Sequence, residues 1–123
     1  MITGFVTQDL EAIVRVTVHD RDGRGHEMES VVDTGFDGSL TLPASVIALL
    51  GLRWCRRGRP LLADGRESVC DIFEATISWD GSTRRIPVDA AETAPLIGMS
   101  LLHGYELIIR IVDGGDVTIT ALP

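Results

Sequence analysis

Cysteine and histidine are scarce in this 123-residue sequence, which has two cysteines and three histidines. Cys55 and Cys70 form neither a metal-binding pattern nor a disulfide framework, and free thiols are typical of a reducing compartment. His19, His26 and His103 lie far apart along the chain, so nothing in their spacing indicates a metal site. We therefore predict a cytoplasmic protein that uses neither a metal ion nor another cofactor.

Long hydrophobic runs and an excess of basic charge are also missing. No apolar segment approaches the ~18 residues of a membrane span, and the N-terminus lacks the basic start of a secretory signal. Eleven basic residues against 18 acidic ones give a net charge of −7. This balance disfavours nucleic acid or an anionic membrane as a partner. The one basic cluster, RWCRRGR at residues 53–59, is either a solvated loop or edge strand, which we favour, or a binding patch.

The sequence does contain a two-residue periodicity of apolar side chains, which is typical of β-strands. Asp-Gly pairs at residues 22, 64, 80 and 113 indicate tight turns between the strands. We predict short helices at residues 43–51 and 99–104, and strands at residues 12–18, 26–32, 39–42, 68–78, 83–88, 95–98, 106–112 and 116–121. This pattern predicts one all-β domain over residues 1–123, built as a small closed or sandwich-like sheet with one or two short helices.

The most informative segment is VVDTGFDGSLTLP, residues 31–43, in which Asp33, Thr34 and Gly35 follow an apolar strand. Val31 and Val32 are apolar on both faces of that strand, so we expect both to be deeply buried. By itself an Asp-Thr-Gly triplet predicts an ordinary turn. The context of the triplet favours a functional role over an ordinary turn. A second apolar-apolar-Gly triplet at residues 96–98 lies about sixty residues further on, beyond a predicted hairpin at residues 59–69.

This ordered set of motifs resembles the retropepsin-like aspartic proteases, whose single-domain members include the retroviral proteases. The resemblance covers residues 12–121, and DTGF, GMSLL and the terminal VDGG hairpin are similar to a group of small microbial proteins in that superfamily. It implies a small closed retropepsin-like barrel that hydrolyses peptide bonds in a peptide or protein substrate. Family members bring two Asp-Thr-Gly loops together, so a chain with one copy is expected to form a homodimer in which two Asp33 residues meet.

The resemblance also implies a mechanism. Two carboxylates about 3 Å apart share one proton, as the aspartic-protease dyad does. One carboxylate then activates a water as general base, while the other donates a hydrogen bond to the substrate carbonyl. By the same resemblance, Thr34 bonds across the dimer and Gly35 admits the substrate backbone. The triplet Leu96-Ile97-Gly98 packs beneath the catalytic loop.

The hairpin at residues 61–67 corresponds to the flap that closes over a bound peptide. We expect substrate contacts from Phe36, Asp37, Ala63, Asp64, Gly65 and Ile97. Phe36 stands where the family usually has Ala or Ser, so it either narrows the neighbouring pocket or belongs to a rebuilt one. Met99 stands where retroviral members have an Arg that pairs with the acid matched by Asp37, and Asp37 is therefore either a substrate ligand or a simple loop carboxylate.

Two alternatives stay open. The chain could keep the fold without useful catalysis, as a peptide-binding or assembly module, and the bulk of Phe36 motivates that hypothesis. The segment at residues 20–30 supplies Asp20, Asp22 and Glu29 as candidate Ca²⁺ ligands, but it lacks the oxygen spacing of an EF-hand, so a hairpin turn is favoured.

Overall fold

The computed structural model describes residues 1–58 and 69–123. The predicted flap, with Ala63, Asp64 and Gly65, lies outside these described residues. In chain order the elements are β1 (Ile2–Val6), β2 (Ala12–His19), β3 (Gly25–Val32), β4 (Leu40–Leu42), α1 (Ala44–Leu50), β5 (Arg53–Gly58), β6 (Cys70–Trp79), β7 (Ser82–Ala90), β8 (Leu96–Ile97), α2 (Met99–Leu102), β9 (Tyr105–Ile109) and β10 (Asp116–Ala121).

The strands form one sheet in the order β5-β6-β7-β4-β8-β3-β2-β1-β10-β9. An additional antiparallel pairing joins β2 to β6, with Val18 opposite Ile77. This pairing closes the six strands from β6 to β2 into a ring, and it confirms the prediction of a small closed all-β fold with two short helices. Val14, Val16 and Val18 alternate along β2 and are all buried in the core of the ring, as their two-residue period predicts.

The turn between β2 and β3 is organised by the carboxylate of Asp20. One of its oxygens accepts hydrogen bonds from the backbone N–H groups of Asp22 at 2.9 Å and Arg24 at 3.0 Å, and the other lies 2.8 Å from the His26 ring nitrogen. Gly23 takes the left-handed conformation at φ 84° that this turn needs. The segment is thus a hairpin turn, and the described part of the chain contains no group of three potential metal-ligating acids, histidines or cysteines.

Helix α1 follows the sequence signals closely. Pro43 precedes it, Ile47 and Leu50 are buried, and Gly51 ends it in a left-handed conformation at φ 67°. Across the described ranges, no helix has the length and apolar character needed to cross a membrane. Strand β5 carries most of the basic cluster and lies at the edge of the sheet formed by the described residues, with exposed side chains, so of the favoured pair, solvated loop or edge strand, the structure has the edge strand.

Strand β1 is not among the strands that the sequence predicts. It lies between β2 and β10, with Gly4 opposite both Val14 and Val117. A Cβ atom at position 4 would lie 2.0 Å from the carbonyl oxygen of Ile13, so this strand can pack here only with glycine at that position. The N-terminal amine, just before β1, also forms an ion pair of 2.7 Å with the Asp80 carboxylate.

The expectation that Val31 and Val32 are deeply buried is wrong, because both are half-buried. They lie at the end of β3, where the described elements leave an open groove of about 210 Å³ beside the strand. We call it the apolar groove; it is lined by Val6, Leu10, Glu11, Ala12, Val31, Val32, Ile109 and Ile111.

Candidate active site

The two motifs singled out in the sequence lie side by side in the structure. Strands β3 and β8 are parallel neighbours, with Val31 opposite Leu96 and Val32 opposite Ile97. The chain continues from β3 into the Asp-Thr-Gly loop, and the N–H of Asp33 donates a hydrogen bond of 2.9 Å to the carbonyl of Ile97. The short apolar strand therefore fixes the starting point of the loop.

The loop backbone orients the Asp33 side chain. Oδ1 of Asp33 accepts a 2.9 Å hydrogen bond from the N–H of Gly35, and the N–H of Phe36 donates to the Asp33 carbonyl at 3.2 Å. Asp33 is half-buried, whereas Thr34 and Gly35 are exposed. Within the described residues the Asp33 carboxylate has no other hydrogen-bond or ion-pair partner, so the loop presents it toward the surface with acceptor capacity to spare.

The first turn of α2 holds the second half of the loop. The N–H of Met99 donates to the carbonyl of Phe36 at 2.8 Å, and the N–H of Ser100 donates to that of Gly38 at 3.0 Å. The hydroxyl of Ser100 donates to the carbonyl between them, that of Asp37, at 2.5 Å. Three consecutive carbonyls of the loop are thereby tied to the helix without any ion pair from the side chain at position 99.

The Phe36 ring is accommodated by two glycines. A Cβ atom at Gly38 would lie 2.5 Å from Cζ of the ring, and one at Gly98 would lie 2.5 Å from Cδ2 of the ring and 2.2 Å from the Gly38 carbonyl oxygen. The ring is half-buried against this surface. The space for an aromatic side chain beside the Asp-Thr-Gly loop thus comes from the absence of side chains at Gly38 and Gly98.

Asp89, on β7, is an acid near the loop that the sequence patterns missed. It is half-buried, and burial raises its pKa; nearby Arg56 opposes this shift, while the Asp37 carboxylate adds to it. The only signal in the sequence is its place beside the core residue Val88, on the opposite face of the strand. Asp37 itself is exposed, and no described residue forms an ion pair with it.

Cys70 lies at the start of β6. Burial raises the pKa of its thiol, and the neighbouring carboxylates of Asp89 and Asp71 raise it further. A raised thiol pKa keeps the sulfur protonated at neutral pH, whereas a nucleophilic cysteine needs the opposite shift.

The other predicted site residues divide into two groups. Ile97 has no exposed surface, so its side chain supports the loop from the core. This position agrees with the expected packing of Ile97 beneath the loop, and the substrate contact expected from Ile97 stays a prediction. Ala63, Asp64 and Gly65 fall outside the described residues, so the structure gives them no position relative to Asp33.

No known family model matches this sequence, and no curated protein matches it. The fold is similar to that of a solved structure, a retropepsin-like aspartic protease from Rickettsia conorii, with a TM-score of 0.61. The two chains are 16% identical, and the match covers 99% of this chain and 91% of the other. At this identity the likeness establishes a shared retropepsin-like fold.

Proposed function

We propose that this protein is an aspartic endopeptidase, in which Asp33 from each of two identical subunits forms the catalytic dyad. One observation carries the proposal: on a retropepsin-like fold, the single Asp-Thr-Gly loop presents a half-buried carboxylate at the surface, held by Gly35 and by Ile97. A single carboxylate supplies a base or an acid but not both at once, so the chemistry needs a second copy.

In the proposed reaction, one Asp33 carboxylate takes a proton from a water molecule as the water oxygen attacks the peptide carbonyl carbon. The protonated Asp33 of the partner subunit donates a hydrogen bond to the carbonyl oxygen and stabilises the tetrahedral intermediate. A proton then passes to the peptide nitrogen as the C–N bond breaks. The products are a carboxylic acid and an amine, and the water accounts for the added oxygen and hydrogens.

The surroundings of Asp33 support this role. The bonds from Met99 and Ser100 to the loop carbonyls limit the movement of the loop, and a catalytic group contributes most when its position is fixed before the substrate arrives. Thr34 is exposed beside Asp33, where its hydroxyl is accessible to a second subunit. Phe36 and Asp37 belong to the same loop, and we expect both to contact a bound peptide.

The test is digestion of a peptide library, read by mass spectrometry, with the original protein and the Asp33→Asn variant. We expect Asp33→Asn to reduce cleavage by at least about 100-fold, since acid–base catalysis contributes that much or more. Asp113→Asn makes the same change of carboxylate to amide at an exposed turn and should leave cleavage unchanged. Equal cleavage by the original and Asp33→Asn proteins would exclude the mechanism.

A second candidate function is peptide binding without cleavage. It is favoured by the Phe36 ring, which occupies space beside the loop where the resembled family has a small residue. Calorimetry with the same library separates the two candidates. Peptides that bind and stay intact support the binding module, whereas turnover that disappears with Asp33→Asn supports the peptidase.

A further inference from the structure

A cleft of about 420 Å³ lies where the turn between β2 and β3 meets the end of α1 and the strands β5 and β6. We call it the arginine cleft; it is lined by His19, Asp20, Arg21, Gly23, Gly51, Leu52, Arg53, Glu74, Ala75 and Thr76. None of these residues belongs to the Asp-Thr-Gly loop or to helix α2. The arginine cleft therefore shares no residue with the candidate active site.

Arg21 and Arg53 bring two positive charges to the arginine cleft. Neither guanidinium has an ion-pair or hydrogen-bond partner among the described residues. Other arginines of the chain do have one: Arg15, Arg57 and Arg85 each form an ion pair with an acid. Because the chain has a net charge of −7, two arginines without an acidic partner in one cleft are notable. They leave local positive charge that an anion can neutralise.

The two acids that line the arginine cleft already have partners. The carboxylate of Asp20 accepts two backbone hydrogen bonds within its own turn and lies 2.8 Å from the His26 ring nitrogen. Glu74 forms an ion pair of 3.2 Å with Arg85. Arg53 stands opposite Glu74 in the pairing of β5 with β6, but the two side chains form no ion pair. Neither acid therefore neutralises the cleft arginines at close range.

The Arg21 side chain is packed across the end of α1. Its backbone N–H donates a 2.9 Å hydrogen bond to the carbonyl of Leu50. Its stem passes over Gly51, where a Cβ atom would lie 2.5 Å from Cδ and 3.4 Å from Cβ of Arg21. The absence of a side chain at position 51 thus provides the space for this stem. A guanidinium whose stem is already packed loses less conformational freedom when a ligand binds.

The donors of the arginine cleft match a phosphate group better than a single carboxylate. One guanidinium fork satisfies both oxygens of a carboxylate, whereas two forks suit a dianion with more oxygens. A phosphate monoester is such an anion, with a charge of about −1.5 to −2 at neutral pH. The Thr76 hydroxyl, which has no hydrogen-bond partner among the described residues, supplies a further donor. Leu52 and Ala75 add apolar lining, and a cleft of about 420 Å³ has room for an organic group beside the phosphate.

We propose that the arginine cleft binds a small phosphate monoester, with the phosphate held between Arg21 and Arg53 and the organic group against Leu52. The site does not depend on the proposed peptidase function, because no residue of the cleft takes part in that reaction. Failure of either proposal therefore leaves the other standing.

The experiment titrates phenyl phosphate into the isotope-labelled protein at fixed ionic strength and follows the backbone amides by NMR. We expect the largest changes in chemical shift at Gly23, Gly51 and Arg53. The dissociation constant should rise about 10-fold or more in Arg21→Gln and in Arg53→Gln, because each variant loses charge-assisted hydrogen bonds. Arg110→Gln is the matched control, since it removes the same charge from an exposed position outside the cleft and should leave the constant unchanged.

The fold of the variants and the class of anion are checked in the same experiment. Arg21→Gln keeps its backbone bond to Leu50, so its melting temperature should be nearly unchanged, and weaker binding then reports the guanidinium. Succinate carries its two charges on separate carboxylates and should bind about 10-fold more weakly or less.

Three results would overturn the proposal. They are shift changes confined to residues outside the arginine cleft, a dissociation constant that neither cleft variant raises, and an equal loss of affinity in Arg110→Gln, which would indicate general attraction between charges. Succinate that binds as tightly as phenyl phosphate would overturn the assignment to a phosphate monoester.

Discussion

The Ser100 hydroxyl donates a 2.5 Å hydrogen bond to the carbonyl of Asp37, which ties helix α2 to the loop that carries Asp33. The backbone N–H groups of Met99 and Ser100 bond to the carbonyls on either side of Asp37. In the retroviral proteases that this sequence resembles, an Arg stands at the position of Met99. It pairs with the acid that corresponds to Asp37. Here the support comes from the first turn of α2 itself.

We predict that Ser100→Ala loosens the loop without unfolding the protein. Loss of one hydrogen bond to a partly exposed carbonyl should reduce the free energy of unfolding by about 0.5–1.5 kcal/mol. Hydrogen exchange of peptides that cover residues 33–40 should become faster, because the loop loses one of its three ties to α2. Ser100→Thr keeps the hydroxyl and should retain the slow exchange.

Ser45→Ala provides the control for the Ser100 experiment. Ser45 lies exposed in α1 and its hydroxyl makes no hydrogen bond within the described residues, so its removal should change neither stability nor exchange in the loop. Equal exchange in the original and Ser100→Ala proteins would show that the two backbone bonds alone hold the loop.

A second prediction concerns the glycines that face Phe36. The three atoms nearest to a Cβ at Gly38 all belong to the Phe36 ring, whereas a Cβ at Gly98 would also meet the backbone carbonyl oxygens of Gly38 and Phe36. Gly38→Ala and Gly98→Ala should each destabilise by about 1–3 kcal/mol, as overpacked sites do. Phe36→Ala should relieve the cost at Gly38 but not at Gly98, because it leaves the backbone oxygens in place.

Denaturant titration of the single and double variants measures this difference as two coupling energies. A coupling of about 0.5–3 kcal/mol between positions 36 and 38, with much less between 36 and 98, is the expected result. If Phe36→Ala rescues both glycine variants equally, the ring and not the backbone limits the space at Gly98.

Local sequence signals predicted most of the elements, since those elements depend on neighbouring residues. The alternation of valines places β2, and Gly51 marks the end of α1. The resemblance of both motifs to those of retropepsin-like proteases predicted that Asp33 and Ile97 are adjacent. The parallel pairing of β3 with β8 confirms this. These features could be predicted because the residue types at those positions determine them.

Features that depend on distant neighbours were not predictable in the same way. Strand β1 is short and contains Gly4, and its place is fixed by β10 at the other end of the chain. Val31 and Val32 have the composition of a buried strand end, but the described elements leave the apolar groove open beside them. Asp89 reaches the neighbourhood of Asp37 through the pairing of β4 with β7, which no local pattern encodes.

A third prediction concerns the hairpin turn at Asp20. The hydrogen bond with His26, followed by that from the backbone of Arg24, lowers the pKa of Asp20 below its ordinary value of 3.8. A carboxyl group with a lowered pKa stabilises the fold above the ordinary value and loses that contribution as the pH falls through the lowered one. Asp20→Asn should therefore be less stable than the original protein at neutral pH, and the gap should close in acid.

Thermal melts over a pH series test this, with Asp22→Asn as the control. Asp22 lies two residues away, and its carboxylate makes no hydrogen bond within the described residues, so its replacement should leave the melting temperature nearly unchanged at all pH values. A gap between Asp20→Asn and the original protein that stays constant into acid would attribute the loss to packing and not to charge.

The last prediction has the opposite pH dependence and concerns Asp89. Burial raises the pKa of Asp89 above 3.8, and the Asp37 carboxylate adds to the shift against the opposing effect of Arg56. A raised pKa means that the contribution of this group to stability is complete below the ordinary value and is lost as the pH rises through the raised one. Asp89→Asn removes the charge, so it should match the original protein in acid and exceed its stability at neutral pH.

Denaturant titrations across the same pH range measure the effect of Asp89, and Asp113→Asn controls for loss of an exposed charge. Arg56→Ala removes the opposing cation, so in that background the gain from Asp89→Asn should grow. An Asp89→Asn protein that is less stable at neutral pH would mean that the ionised carboxylate makes favourable interactions that outweigh its burial, which would place Asp89 among the groups that hold the loop in position.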